Sequence, residues 1–159
     1  MAEEAPGTRI GVRFALAEDI GALLADARAA EAQGADSLWV DARDAEPFVL
    51  LAAFAAVTWR ARLVASGARD GAGAEDDARA TCERLSRGRL TTAADLARAG
   101  ERWTEVPFPK DRDEWRAVRR SAAESGVAGV VIPNDPRLID LLRNPDVVDD
   151  RSDLNIATG

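Results

Sequence analysis

Short β-rich runs alternate with longer runs of helical spacing from Arg9 onward, and glycine or proline marks most of the joints. That alternation constrains the chain most, because parallel strands need a long crossover and a helix is the usual one. Arg9-Ile-Gly-Val-Arg-Phe-Ala15 is the first strand, with Ile10, Val12 and Phe14 on one face. Glu18 and Asp19 open a helix where their charge complements its N-terminal dipole. Ile20, Leu23, Leu24, Ala27 and Ala30 form its apolar stripe, and Gly34 sits at its C-terminal end. Asp36-Ser-Leu-Trp-Val40 follows as the second strand and completes a βαβ unit.

The unit then recurs. Pro47 suits the first turn of a helix running to Val57 that is apolar nearly all round. A helix without a polar face is covered on both sides, so a homodimer through Pro47–Thr58 is expected. Arg62–Ser66 is the third strand, and the loop Gly67–Gly73 leads to a helix over Glu75–Leu85 with Ala78, Cys82 and Leu85 facing inward. Gly88 stops that helix, Arg89–Thr92 is a fourth strand, and Ala93–Ala99 is a short helix ended by Gly100. Glu101–Pro109, with two prolines, reads as an extended connector. Asp111 or Asp113 caps a helix through Glu124 with Trp115, Val118 and Ala122 on one face. Val127–Ile132 is a buried strand, and Asp135-Pro136 starts a helix over Leu138–Leu142 that Asn144-Pro145 breaks. Residues 1–8 read as a flexible lead-in, Asp146–Asp153 as a mobile acidic loop and Leu154–Ala157 as a further strand. The expectation is one α/β domain over residues 1–159, built of parallel βα repeats with five to six strands.

Absent residue types exclude several chemistries. The chain has no histidine and no tyrosine, and its one cysteine is Cys82. Ser–His–Asp and Cys–His triads, histidine or thiolate metal sites and an internal disulfide are therefore ruled out. General acid–base work falls to carboxylates, Lys110, Cys82 or a cofactor. The net charge of −7, with arginines scattered among 28 acidic residues, argues against nucleic-acid binding. No apolar run reaches membrane-spanning length and the acidic N-terminus is unlike a signal sequence, so a cytoplasmic protein is expected.

Three segments carry a family resemblance. Glu31-Ala-Gln-Gly-Ala-Asp-Ser-Leu-Trp-Val-Asp41 resembles the signature after the first helix of luciferase-like, flavin-dependent monooxygenases. Pro47 to Leu63 is similar to the next helix and third strand of that family, and Leu85-Ser-Arg-Gly-Arg-Leu90 to its turn into the fourth strand. Together these cover a little over half of the chain. The resemblance implies a TIM-barrel relative that binds FMN or a deazaflavin at the C-terminal ends of the strands, often as a dimer. It implies a flavin-dependent oxidoreductase of monooxygenase type, with a flavin reductase or a full-length homologue as a further partner. The sequence departs from the family pattern at Thr91-Thr-Ala-Ala94, where Gly-x-Gly is usual, and in lacking the active-site histidine. Five or six strands are short of a (β/α)₈ barrel, so the barrel is expected to be truncated, open or completed by a partner. A non-catalytic dimeric flavin-binding or assembly paralogue is the alternative.

A site in such a fold lies at the strand C-terminal ends. The cofactor-binding candidates are Phe14, Trp39, Asp41, Arg43, Ser66, Arg69, Thr92, Asn134 and Arg137. Arg43, Arg69 and Arg137 are suited to a flavin phosphate or an anionic substrate by bidentate pairing, although a solvated loop arginine is the plainer account of each. Trp39 suits stacking on an isoalloxazine ring, against core packing as the commoner fate of a strand tryptophan. Asp41 and Asp44 suit acid–base work or Mg²⁺, against helix capping and solvation. Gly67–Gly73 has the small residues of a phosphate loop but lacks Lys-Ser/Thr and is followed by acids. No catalytic residue and no metal site is assigned.

Overall fold

Each strand alternates between two surroundings, and this alternation sets the architecture. A computed structural model describes residues 7–43, 46–67 and 74–144. Among them the strands are β1 (Arg9–Phe14), β2 (Ser37–Asp41), β3 (Arg62–Ser66), β4 (Leu90–Thr92), β5 (Trp103–Glu105) and β6 (Gly129–Pro133). The helices are α1 (Ile20–Ala32), α2 (Pro47–Val57), α3 (Ala74–Ser86), α4 (Ala93–Arg98), α5 (Arg112–Glu124) and α6 (Leu138–Arg143). The strands form one sheet of order β4-β3-β2-β1-β6-β5, parallel at every pairing. It curls into a half-barrel, an incomplete TIM-barrel-like α/β fold.

The convex face carries Val12, Phe14, Leu38, Val40, Leu63, Ala65, Val130 and Ile132. They pack against Leu23, Ala27 and Ala30 of α1, Leu51 and Phe54 of α2, Cys82 of α3, Trp115 of α5 and Leu138 of α6. The concave face holds a smaller cluster of Trp39, Val64 and Val131, onto which α4 lays Leu96. The reason lies in the strand order. β6 returns to pair with β1, so the two edges of the sheet are β4 and β5, which adjoin in sequence. An eight-stranded barrel would have two more strands between those edges. Here residues 93–102 cross the mouth directly, and their one helix falls inside the curl.

Local chemistry accounts for the helix starts. The Asp19 side chain accepts from the Ala22 N–H at α1, Glu46 from the Phe48 N–H at α2, Thr92 from the Asp95 N–H at α4 and Asp111 from the Glu114 N–H at α5. Asp111, not Asp113, is therefore the cap of α5. Pro47 stands in the first turn of α2 as expected.

Several expectations need correction. Glu101–Pro109 is not wholly a connector, because Trp103–Glu105 pairs with β6 as strand β5. Three residues carry too little periodicity to be read locally. Leu85 does not face inward and is 48% exposed, and Ile20 at the start of the α1 stripe is also exposed. Asp135-Pro136 does not begin α6, because the Asp135 carboxylate turns to the Arg137 N–H and guanidinium and the helix starts at Leu138. The apolar helix α2 buries Phe48, Leu51 and Phe54 and leaves Val49 59% exposed. The lead-in over residues 1–6, the loop 68–73, the acidic loop 146–153 and the strand expected at 154–157 lie outside the described residues.

Candidate functional site

The strand C-terminal ends carry Asp41, Ser66 and Arg13 on the concave side, in the register Arg13↔Trp39 and Asp41↔Ser66. Asp41 closes β2 and is buried. Its Oδ1 accepts from the backbone N–H of Arg43 at 2.8 Å and from Arg43 Nε at 2.9 Å, and its Oδ2 accepts from Arg43 Nη2 at 2.7 Å. The Ser66 hydroxyl approaches Oδ2 at 3.4 Å. The bonds from Arg43 outweigh desolvation and hold the Asp41 carboxyl at about 2. The carboxylate is thus committed to its own loop. It stays ionised at neutral pH and is a poor general acid or base.

Below this rim two indoles face the concave side. Trp39 donates from Nε1 to Ser37 Oγ at 2.8 Å and meets Trp103 at 5.5 Å between ring centroids. Each ring lies over a glycine of the neighbouring strand. A Cβ on Gly11 would stand 2.6 Å from Trp39 Nε1, and one on Gly129 would stand 2.4 Å from the Trp103 ring and 2.6 Å from the Arg9 carbonyl oxygen. Beside the rings runs a cavity of about 480 Å³ lined by Trp39, Ser66, Leu96, Glu101, Trp103 and Glu105, among others. At its lower end Glu101 accepts from Arg9 Nη2 at 2.9 Å and from Arg62 Nη1 at 2.8 Å. The Arg9 guanidinium also stands 5.3 Å from the Trp103 ring centroid. Hydrogen bonding from Arg62 outweighs burial and, with the charges of Arg62 and Arg9, lowers the Glu101 carboxyl below its usual range.

The remaining candidates scatter. Phe14 points to the convex face, fully buried and edge-on to Phe54 at 5.0 Å, so its ring does not reach the concave side. Strand alternation settles this: Arg13, not Phe14, shares a face with Trp39. Thr92 is the N-cap of α4 and also donates to Asp95 Oδ2 at 2.8 Å. Asn134 donates to Asp26 Oδ2 at 3.0 Å. Arg137 grips Asp135 with Nε at 2.9 Å and Nη2 at 3.1 Å, and stacks over Phe108 at 4.6 Å. Asp44 and Arg69 lie outside the described residues. Of the nine candidates, Trp39, Asp41, Arg43 and Ser66 come together.

The two described candidate arginines are already paired with carboxylates. Arg43 and Arg137 each spend their bidentate face on a carboxylate two residues away, so an incoming phosphate would have to displace a covalently tethered competitor. Among the described residues no group of three or more acidic or cysteine side chains is placed to hold a metal ion. Cys82 is fully buried, and desolvation, with Glu83 nearby, pushes its thiol up to about 11, which fits an inert core residue.

Two residues of the segments that carry the resemblance, Glu31 and Arg89, are staples at the opposite, N-terminal end of the strands. Glu31 takes the N–H groups of Trp59 (2.9 Å), Arg60 (2.6 Å) and Ala61 (2.8 Å) onto one carboxylate. Burial works to raise its pKa, but these three bonds and the charge of Arg89 carry it below the ordinary value. Arg89 donates to the carbonyls of Ala55, Thr58, Ala61 and Ser86 and to the Thr58 hydroxyl. Sequence reading did not single out Glu31, Arg89, Arg9, Arg62 or Glu101. Arg9 and Arg62 open β1 and β3, Glu31 lies in α1, and Arg89 and Glu101 lie just before β4 and β5, so no single periodicity marks the set. The chain matches no protein-family model and no curated protein.

Proposed function

We propose that this chain is a non-catalytic relative of the luciferase-like flavin-dependent monooxygenases that serves as an assembly module. The observation that carries this reading is the pairing of Arg43 and Arg137 with Asp41 and Asp135, exposed ion pairs that set a tethered carboxylate in competition with phosphate at both described candidates. The outer helical layer supplies a surface for assembly. On α2 and the turn after it, Val49 is 59% and Trp59 62% exposed, and α2 has no charged residue between Pro47 and Val57. A homodimer through Pro47–Thr58 covers that stripe.

The competing reading is a flavin-dependent oxidoreductase that binds FMN or a deazaflavin at the strand ends. It draws on Trp39 and Trp103 beside the concave cavity, which are suited to a flat ring. Titration of the purified protein with FMN and with a deazaflavin, followed by flavin fluorescence, separates the two. The assembly reading expects no saturable binding of either and a dimer by light scattering, converted to a folded monomer by Val49→Glu. Saturable micromolar binding that Arg43→Ala weakens would overturn it, as would a monomer at micromolar concentration.

A further inference from the structure

Helix α4, which precedes β5, lies inside the curl, so the outer flank of α5 and the edge strand β5 have no helix beside them among the described residues. They leave a groove of about 310 Å³ on the convex side, lined only by β5, α5, β6 and the turns between them. We propose that the chain's own segment Leu154–Ala157 seats in this groove, with the acidic stretch Asp146–Asp153 strapped across α5. The proposal does not rest on the assembly reading.

The groove fits that occupant in shape, in reach and in charge. Six of its ten lining residues are valine or alanine, with Thr104 and Val106 at the sheet edge opposite Val118 and Ser121 of α5. A cavity of about 150 Å³ takes one benzene-sized group, so two aliphatic side chains fit here. Leu154-Asn-Ile-Ala157 has the apolar spacing of a strand that would set Leu154 and Ile156 on one face. β5 is paired to β6 alone, so its outer edge is open to a further strand. The last described residue, Asn144, stands beside α5, where its carbonyl accepts from Arg112 Nε at 3.0 Å. Arg112 lies on the α6 flank, opposite the groove, so the following residues have one helix to cross, about 10–12 Å wide. Residues 145–153 reach about 30 Å when extended. The outer face between the flanks carries Arg116, Arg119 and Arg120. Arg116 shares its charge with Asp113, whereas Arg119 and Arg120 make no ion pair among the described residues. Residues 145–153 hold four aspartates against one arginine. Asp113 and Glu124, near the two ends of α5, confine the crossing to the middle of the helix. A tethered segment meets its site at roughly millimolar effective concentration, so a short contact is enough.

Methyl NMR and hydrogen exchange of the full chain test this. The methyls of Leu154 and Ile156 are expected to show NOEs to those of Val106, Val118 and Val127. The amides of residues 154–157 are expected to exchange about tenfold more slowly than in the free peptide 145–159. Arg119→Glu combined with Arg120→Glu should bring them within about twofold of the peptide, with the amides of β1–β3 unchanged. Ile156→Asp provides an independent variant with the same expected loss. Peptide-like exchange at 154–157 without those NOEs in the unaltered chain would overturn the proposal, whatever the variants do. So would protection that survives both charge reversals, which would remove the strap across α5. NOEs seen only between differently labelled chains would also overturn it, by making a second copy the occupant.

Discussion

Glu31→Ala is the perturbation whose cost the structure specifies most closely. The carboxylate is buried and accepts three backbone N–H groups from the turn that joins α2 to β3. A hydrogen bond to a charged group contributes about 1.5–3 kcal/mol, and a buried donor left unpaired costs about 1–3 kcal/mol. Trp59 and Arg60 are exposed residues whose amides can turn to water, whereas Ala61 is buried at the entry to β3. Counting one full bond and two discounted ones gives about 3 kcal/mol, a large share of the roughly 5–15 kcal/mol typical of a domain. In a chain of this size that lowers Tm by about 6–12 °C. The assay is urea unfolding followed by tryptophan fluorescence and circular dichroism at pH 7, repeated with Glu31→Gln across the acid range. The Glu31 pKa is depressed in the folded state, so its stabilisation is fully present above the ordinary carboxylate value. It is lost as pH falls through the folded one. The gap between the unaltered chain and Glu31→Gln should therefore narrow on acidification. A Glu31→Ala protein within about 0.5 kcal/mol of the unaltered chain at pH 7 would refute the reasoning.

Arg89→Lys should destabilise by about 2–3 kcal/mol in the same assay, because one ammonium cannot span the carbonyls that the planar fork joins. Gly129→Ala should cost about 1–3 kcal/mol and shift tryptophan emission, since its Cβ meets both the Trp103 ring and the Arg9 carbonyl; an unchanged Tm would count against the packing described. Asp41→Asn should lose about 1 kcal/mol at pH 7, the carboxyl's depression to about 2 being discounted because the Arg43 side chain is 80% exposed. That difference should disappear as the pH approaches 2, and a pH-independent difference in urea midpoint would reject it. Trp115→Phe should cost less than the area it removes suggests, because the buried indole N–H has no hydrogen-bond partner among the described residues; a loss above about 3 kcal/mol by urea unfolding would contradict this.

The alternation of strand and helix was legible because its signals are local. Pro47 to Val57 is one helix, and Arg62 to Ser66 one strand, at the residues where periodicity and the flanking breaks place them. Glu31 and Arg89, which lie in the segments Glu31–Asp41 and Leu85–Leu90, bind backbone groups of the neighbouring turns, so their spacing is tied to the fold itself. The site was less legible. Arg43 and Arg137 look alike in sequence to any loop arginine, and only the folded chain shows each turned back on an aspartate. Phe14 and Arg13 differ by one position, and the pairing register alone decides which of them faces the cavity side.

By itself the sequence determined the βα repeat, the Asp19 start of α1, the Pro47 start of α2 and the exclusion of histidine and disulfide chemistry, all properties of residue types and short spacings. Tertiary structure decided that β6 pairs with β1, that Trp103–Glu105 is an edge strand, and that α4 lies inside the curl. Parallel strands choose partners far away in the chain, by which apolar faces can be buried together, and no local pattern records that choice.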